Sequence, residues 1–258
     1  MHTVADHSLT PSLHVEVRKI RARRPFVWLG RAVVDLFKSF RVSVTYGLAM
    51  TLFGWMLLTV LGAHPYLVAA SATGFLLVAP IMATGLCELS RRLQEGLPAG
   101  FDDSLEPLRR EDRALFAYGG ILAGVAVLWL LLSEVLLSGV LRLPAPSLAN
   151  AFYLGVAQDL TRERLLAYVA TGGILAVAVF CMSVVTVPLI ISRHARAGEA
   201  IRVSFAVIRR NPLPMAIWAA MIVVLTAAGF ASFLFGMIIV IPLLGHATWR
   251  AYRDVIAS

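Results

Sequence analysis

Four long stretches of the chain carry almost no charged side chains. They run from Val42 to Cys87, Ala114 to Leu141, Leu165 to Ser192 and Asn211 to Trp249, and Glu134 is the only charged residue within them. A charged residue near the bilayer centre costs about 2.5 to 3.5 kcal/mol. Uncharged, apolar stretches of this length therefore indicate membrane-spanning segments.

Two of these stretches are too long for a single crossing. The first has 46 residues and the last has 39. As helices they would extend roughly 70 and 60 Å, about twice the hydrocarbon thickness of a bilayer. Turn-forming residues interrupt both, namely the segment from Gly62 to Pro65 and the pair Gly229 and Ser232. Each stretch is therefore expected to fold back on itself.

Two hairpins and two single crossings predict an all-α membrane protein, a transmembrane bundle of six helices. The predicted spans are Val44–Leu61, Tyr66–Leu86, Ala114–Leu137, Leu166–Ile191, Leu213–Ala228 and Ala231–Thr248. One long tilted helix over residues 211–249 is the alternative, and it would leave five spans.

The distribution of cationic residues predicts the orientation in the membrane. Of the 23 Lys and Arg residues, twenty fall on one side of the predicted spans; the other side receives Arg142, Arg162 and Arg164. Cytoplasmic loops are enriched in Lys and Arg, so both termini are predicted to be cytoplasmic. Residues 1–16 lack the apolar core of a signal peptide and are predicted to form a disordered leader. Residues 17–258 are predicted to form one membrane domain.

The even-numbered spans share a proline-containing pattern. Pro80, Pro188 and Pro242 each precede polar or basic residues at the cytoplasmic end of a span, and each odd-numbered span follows a short cationic segment. We interpret this order as three hairpin-like repeats, at about residues 26–88, 101–194 and 200–256. Coincidence is the alternative, because prolines are common in membrane helices.

The cationic segments before the spans are amphipathic. In the first, helical spacing aligns an apolar stripe of Leu29, Val33, Leu36, Phe37 and Phe40. The third has an apolar edge of Ile201, Phe205 and Ile208. Interfacial helices of this kind bind the anionic cytoplasmic leaflet through nearby cations. The predicted contacts with lipid headgroups are Arg31, Lys38, Arg41, Arg202, Arg209 and Arg210.

Composition supports the membrane interpretation. Hydrophobic residues make up 59% of the chain and charged residues 15%, well below the roughly 25% of soluble domains. The net charge of +8 follows from the cytoplasmic enrichment in cations, so we predict no nucleic-acid partner. The two cysteines, Cys87 and Cys181, are too few for a disulfide framework.

A few polar residues are candidates for function. Glu134 lies within a predicted span, where a carboxylate marks an ion or proton path or reaches water at the outer interface. Glu88, His194 and His246 fall just beyond the repeated prolines. They predict either a polar cluster that binds an ion or a headgroup, or ordinary helix ends. No spacing typical of metal ligands or catalytic motifs occurs, so we expect no enzyme activity, metal or cofactor.

Glycine and tryptophan positions suggest packing and anchoring. Gly120 and Gly124 form a Gly-x-x-x-Gly motif in the third span, which predicts close helix packing. Trp28, Trp218 and Trp249 fall near predicted interfaces and are expected to anchor there.

Several short motifs resemble the bacterial DUF2189 family of predicted integral membrane proteins. They are Val17-Arg-Lys-Ile20, Arg24-Pro-Phe-Val-Trp28, Glu88-Leu-Ser-Arg-Arg92 and the C-terminal block Pro242–Asp254. The resemblance implies a protein of the bacterial inner membrane with no established biochemical activity.

Two classes of function remain open from the sequence. The first is a non-enzymatic protein that associates with lipid, most simply anionic lipid, or with a partner membrane complex. The second is a small transporter or channel with Glu134 in its path, which the repeats and the proline-containing spans suggest. The scarcity of polar groups at mid-membrane depth favours the first class.

Overall fold

The computed structural model describes residues 15–61, 83–110, 113–137 and 162–257. Residues 1–14 of the predicted leader, the turn at Gly62–Pro65, most of the second predicted span with Pro80, and the outer segment around residues 142–161 lie outside these ranges. Within them the regular structure is helical. The helices are α1 (Arg24–Lys38), α2 (Phe40–Leu61), α3 (Thr84–Glu95), α4 (Phe101–Ser104), α5 (Glu106–Arg109), α6 (Arg113–Leu137), α7 (Arg162–Ser183), α8 (Thr186–Arg193), α9 (Ala197–Arg210), α10 (Pro212–Ala231) and α11 (Met237–Val255).

Three helical stretches in the described part of the chain are long and apolar enough to cross a bilayer. They are Arg113–Ser133, Arg162–Arg193 and Pro212–Ala231, and they coincide with the third, fourth and fifth predicted spans. The all-helical class and the membrane-spanning character are therefore confirmed. The complete six-helix bundle and its threefold repeat stay predictions.

The last apolar stretch forms two helices, so one rod over residues 211–249 is wrong. α10 ends at Ala231 and α11 begins at Met237. Between them, Phe233 and Leu234 have φ angles of 53° and 69°, in the left-handed region that ends a helix. α11 is not among the three candidate spans, and a sixth crossing stays a prediction.

The fourth predicted span is divided in two just before Pro188. α7 ends at Ser183 and α8 begins at Thr186. Proline has no N–H to donate, and its ring clashes with the carbonyl four residues earlier, which here belongs to Val184. The Thr186 hydroxyl donates to the carbonyl of Met182, a carbonyl that a continuous helix would bond through a backbone N–H. The break therefore leaves this backbone group hydrogen-bonded.

The two ends of the described chain meet beside α11. Val17 and Ile256 form an isolated antiparallel bridge. Next to it, the N–H of Arg18 donates to the carbonyl of Val255 at 2.7 Å. We call residues 15–21 the N-terminal strap.

α1 has a second, inward face that the apolar stripe did not predict. Trp28, Ala32, Asp35 and Leu36 are buried on this face, against α11 and α10. The Trp28 ring meets the Trp218 ring edge-to-face, with centroids 5.8 Å apart. The inward face is therefore a packing surface within the protein.

The tryptophans expected at the interface are buried instead. Trp28, Trp218 and Trp249 are 0%, 2% and 2% exposed. The Trp28 indole N–H donates to Asp254 at 2.9 Å, and the Trp249 indole N–H donates to Gln94 at 3.0 Å. The anchoring prediction is wrong because these rings fill space between helices, and protein groups accept from the N–H donors of Trp28 and Trp249.

The glycines that permit close helix packing are not those of the Gly-x-x-x-Gly motif. Among the described residues, nothing lies within 4 Å of a Cβ built on Gly120 or Gly124. A Cβ at Gly47, by contrast, would overlap the backbone carbonyl of Ile238. Close packing at the motif is therefore not seen in the described chain, and α2 instead approaches α11 closely at Gly47.

Candidate functional site

A buried polar cluster lies where α1, α2, α3 and α11 meet. Asp35 is 1% exposed and His246 is 0% exposed. Buried groups of this kind require partners, because an unpaired polar group costs about 1 to 3 kcal/mol. We call these residues the His246 cluster: Asp35, Ser39, Ser43, Ser90, His246 and Arg250.

An ion pair joins α1 to α11 within this cluster. Arg250 donates from Nε to Oδ2 of Asp35 at 2.7 Å and from its terminal nitrogen to Oδ1 at 2.5 Å. The Arg250 side chain is 18% exposed. This two-point geometry matches the planar guanidinium to the carboxylate, so it fixes the orientation as well as the distance.

A loop of hydrogen bonds begins and ends on Asp35 and passes through His246. The Ser90 hydroxyl donates to Asp35 Oδ2 at 3.1 Å, and its oxygen lies 2.7 Å from His246 Nδ1. His246 Nε2 lies 2.9 Å from the Ser43 hydroxyl, which lies 3.0 Å from that of Ser39. Ser39 donates to the backbone carbonyl of Asp35 at 2.9 Å. Both imidazole nitrogens are therefore engaged.

The loop accommodates two protonation states of the imidazole. When His246 is neutral with its proton on Nδ1, the Ser43 hydroxyl donates to Nε2. Because Ser39 donates to the Asp35 carbonyl, the Ser39–Ser43 contact then carries no hydrogen bond. When both ring nitrogens carry protons, Ser43 accepts from Nε2 and donates to Ser39. The two arrangements differ by one proton and by the rotation of one hydroxyl group. Either one keeps His246 bonded to two helices and leaves neither ring nitrogen free for a ligand.

Glu88 belongs to a separate ion-pair network on α3. Its carboxylate is held by Arg91 Nε at 2.8 Å and by Arg92 Nε at 2.9 Å. Arg92 also bonds Asp103 at 2.7 Å, which links α3 to α4. The hydrogen bonds to Glu88 raise the pKa of Arg91. Glu88 thus pairs with both arginines of its own helix, Arg91 and Arg92.

The structure brings Glu88 and His194 together but places His246 elsewhere. Glu88 and His194 line a small pocket with Glu106, Arg110 and two apolar residues. His194 is exposed and ends α8 with a φ of 51°. A single polar cluster containing all three predicted residues is therefore not formed. Over the ranges that the structure describes, no group of three or more potential ligands could hold a metal ion.

The cations predicted to contact headgroups share two properties. All are exposed, and within the described ranges none forms an ion pair: Arg31, Lys38, Arg41, Arg202, Arg209 and Arg210. The middle cationic segment differs. There Arg109 pairs with Asp102, and Arg110 pairs with Glu106, each at 3.0 Å. The first and third segments therefore present net positive charge, whereas the middle segment is internally neutralised.

The outward side of α1 combines these cations with exposed aromatic residues. Phe37 is 68% exposed and stacks on Phe40, which is 47% exposed; Phe26 is 61% exposed. On α9, Phe205 is 40% exposed beside the basic residues. The outward stripe predicted for α1 is thus present at Val33, Phe37 and Phe40, whereas Leu36 is buried and Leu29 is half-buried against the core.

Glu134 lies on α6, but its side chain is outside the described part of the structure. Its predicted role in an ion path stays untested.

The buried residues Asp35, Ser43 and Ser90 and the half-buried Arg250 were not predicted from the sequence. One signal was present: Asp35 follows Trp28 by seven residues, which places it on the same helical face. Because a carboxylate is costly in hydrocarbon, an acidic residue on the same face as a tryptophan favours pairing with a protein cation over contact with lipid.

Three long apolar helices, with apolar side chains exposed along them, define an integral membrane protein. Residues 67–192 match a family described as "Predicted integral membrane protein (DUF2189)", which confirms the resemblance over this region. The matched region contains the Glu88–Arg92 motif, while the N-terminal motifs and the C-terminal block lie outside it. No curated protein and no solved structure matches the chain.

Proposed function

We propose that the protein is a non-enzymatic, six-span protein of the bacterial inner membrane that associates with anionic lipid through α1 and α9. Both termini lie in the cytoplasm in this proposal. The observation that carries it is the combination of exposed cations that have no carboxylate partner among the described residues with exposed phenylalanines on the same helices. This combination suits the boundary between headgroups and acyl chains.

The expected strength of the attraction follows from the number of cations. A Lys or Arg near an anionic leaflet contributes about 1 kcal/mol, so the six cations contribute at most roughly 6 kcal/mol. Salt reduces this figure, because the screening length is about 8 Å at physiological ionic strength. The middle segment should contribute little, since Asp102 and Glu106 already balance Arg109 and Arg110.

Thermal unfolding of the purified protein in mild detergent tests the proposal. Adding phosphatidylglycerol should raise the unfolding temperature more than adding phosphatidylcholine does, because a ligand that binds only the folded state stabilises it. We expect a variant with Arg31, Lys38 and Arg41 all changed to Gln to lose much of the difference. We expect the same loss for the α9 variant, in which Arg202, Arg209 and Arg210 are all changed to Gln.

The middle segment provides a matched control. Changing Arg109 and Arg110 to Gln also removes cations, but these cations are paired, so the response to phosphatidylglycerol should persist. Equal stabilisation by both lipids in the unaltered protein would contradict the proposal.

A further inference from the structure

We propose that a phospholipid headgroup with two phosphates binds where the N-terminal strap meets the junction of α9 and α10. This inference rests on the proposed function and narrows it to one place and one lipid chemistry.

Asn211 positions the strap at this junction. Its amide donates to the carbonyl of Arg18 at 2.9 Å, and its oxygen accepts from the N–H of Ile20 at 2.8 Å. Asn211 is 2% exposed and lies between α9 and α10. A single side chain therefore pairs with the strap backbone as a neighbouring strand would, and it attaches the strap to the end of α9.

This attachment brings together cations that are distant in sequence. Arg18, Lys19 and Arg21 belong to the strap, and Arg209 and Arg210 immediately precede Asn211. All five are exposed, and no ion pair involves them within residues 15–61, 83–110, 113–137 and 162–257. We call these five residues the strap cluster.

Little negative charge is available to balance the strap cluster. Glu16 is the carboxylate of the strap itself. Asp254, at the C-terminal end of α11, is occupied by Arg24 and by the Trp28 indole. Among the described residues of the strap and its junction with α9, these five cations face the single carboxylate of Glu16, which leaves more positive charge than one phosphate can neutralise. Guanidinium groups also bind phosphate oxygens through two parallel hydrogen bonds. The charge therefore fits a headgroup with two phosphates.

The surroundings of the strap cluster favour a lipid over a soluble polyanion. Asn211 is followed directly by α10, one of the candidate spans. Leu213, at the start of α10, is 62% exposed, and Phe205 on α9 is 40% exposed. Acyl chains attached to a headgroup at the cluster can lie along this apolar surface, whereas a nucleic acid would leave it uncovered.

Lipid titration of the full chain in mild detergent tests the inference. Diphosphatidylglycerol and phosphatidylglycerol are compared at equal phosphate concentration, with the unfolding temperature as the readout. We expect diphosphatidylglycerol to reach half of its effect at a concentration at least about tenfold lower, which corresponds to about 1.4 kcal/mol. Equal half-effect concentrations would overturn the inference while leaving the general lipid proposal intact.

Two variants that each lose three cations separate the site from general attraction. The strap variant changes Arg18, Lys19 and Arg21 to Gln and should abolish the preference for diphosphatidylglycerol while retaining a response to phosphatidylglycerol. The variant of Arg31, Lys38 and Arg41 should lower both responses and keep the preference. If both variants keep the preference, the strap cluster is not the site.

Two further arms complete the test. Asn211→Ala leaves the net charge unchanged but releases the strap, and we expect it to reduce the preference. Because this change also removes buried hydrogen bonds, the strap variant, whose changes are all exposed, decides the case if Asn211→Ala fails to fold.

Inorganic pyrophosphate supplies two phosphates without acyl chains, and a short oligonucleotide supplies many phosphates without acyl chains. Stabilisation by either one equal to that by diphosphatidylglycerol would refute a lipid site. Failure of every lipid to stabilise the protein would instead contradict the proposed function.

Discussion

The Asp35–Arg250 ion pair offers the most direct test of the packing between α1 and α11. Asp35→Asn removes the negative charge and keeps the shape of the side chain, so the Arg250 guanidinium loses its counter-charge in a position where it is only 18% exposed. Arg250→Met does the reverse and leaves the Asp35 carboxylate, with a side chain 1% exposed, without its cation. Breaking a buried pair from one side costs about 3 to 5 kcal/mol.

The double variant should cost less than the two single variants added together. With both charges gone, no buried charge is left uncompensated, and the amide oxygen that Asp35→Asn introduces can still accept from the Ser90 hydroxyl. We expect a coupling energy of about 2 to 3 kcal/mol. Asp102 and Arg109 provide the comparison, because their side chains are 86% and 58% exposed. Such exposed pairs couple by about 0.2 to 1 kcal/mol.

Unfolding by increasing mole fractions of sodium dodecyl sulfate in mild detergent micelles measures these energies. Tryptophan fluorescence is a suitable signal, because Trp28 is fully buried and bonds Asp254 beside the same helix contact. A coupling energy for Asp35 and Arg250 no larger than that of the exposed pair would refute the argument that burial makes this ion pair matter.

Three further predictions follow from packing and exposure. Gly47→Ala should destabilise the protein by about 1 to 3 kcal/mol, because the added Cβ meets the backbone carbonyl of Ile238. Gly120→Ala should be neutral or stabilising, since helix propensity favours alanine over glycine by about 1 kcal/mol. Similar unfolding curves for the two variants would contradict this prediction. A nitroxide label at Phe37→Cys should be relaxed more by oxygen than by a water-soluble nickel chelate, because the proposed interfacial position of α1 directs this exposed side chain toward acyl chains. The opposite order would place α1 in water. Glu134→Gln should leave any cellular phenotype intact, whereas loss of a proton-coupled flux at unchanged protein level would favour the transporter alternative.

The membrane-spanning helices were predictable because their energetics are simple. The third predicted span, Ala114–Leu137, lies within α6, whose described range is Arg113–Leu137. The nearly uncharged stretch that predicts this span can be read directly from the sequence. The division of the last apolar stretch was predictable for a related reason, since a helix of 39 residues exceeds the bilayer.

The surroundings of each apolar face were harder to predict. In a membrane protein an apolar residue is stable against lipid or against another helix, so hydrophobic periodicity does not distinguish the two environments. On α1 the stripe with Phe37 faces outward, whereas Trp28 and Asp35 face inward. The prediction at Gly120 has the same ambiguity, because a small residue permits close packing but does not require it, and no described residue packs there.

The candidate site was predicted only in part. His246 and Glu88 were recognised as polar residues near helix ends, but the partners of His246 come from helices far away in sequence. Ser43 and Ser90, the hydroxyl partners of His246, belong to α2 and α3. Serines are common in membrane helices and bond their own backbone, so nothing local distinguishes those that reach a distant histidine.

The bridge between Val17 and Ile256 constrains how many times the chain traverses the bilayer. Backbone hydrogen bonds from Arg18 to Val255 and from Ala257 to Glu16 flank this bridge, so the two segments must lie on the same side of the membrane. The number of traverses between them is therefore even, whatever their direction. Crossings by the three candidate spans of the described residues would make an odd number, so the bridge predicts at least one further crossing between residues 17 and 256. Reporter domains fused at the two termini should accordingly report the same compartment.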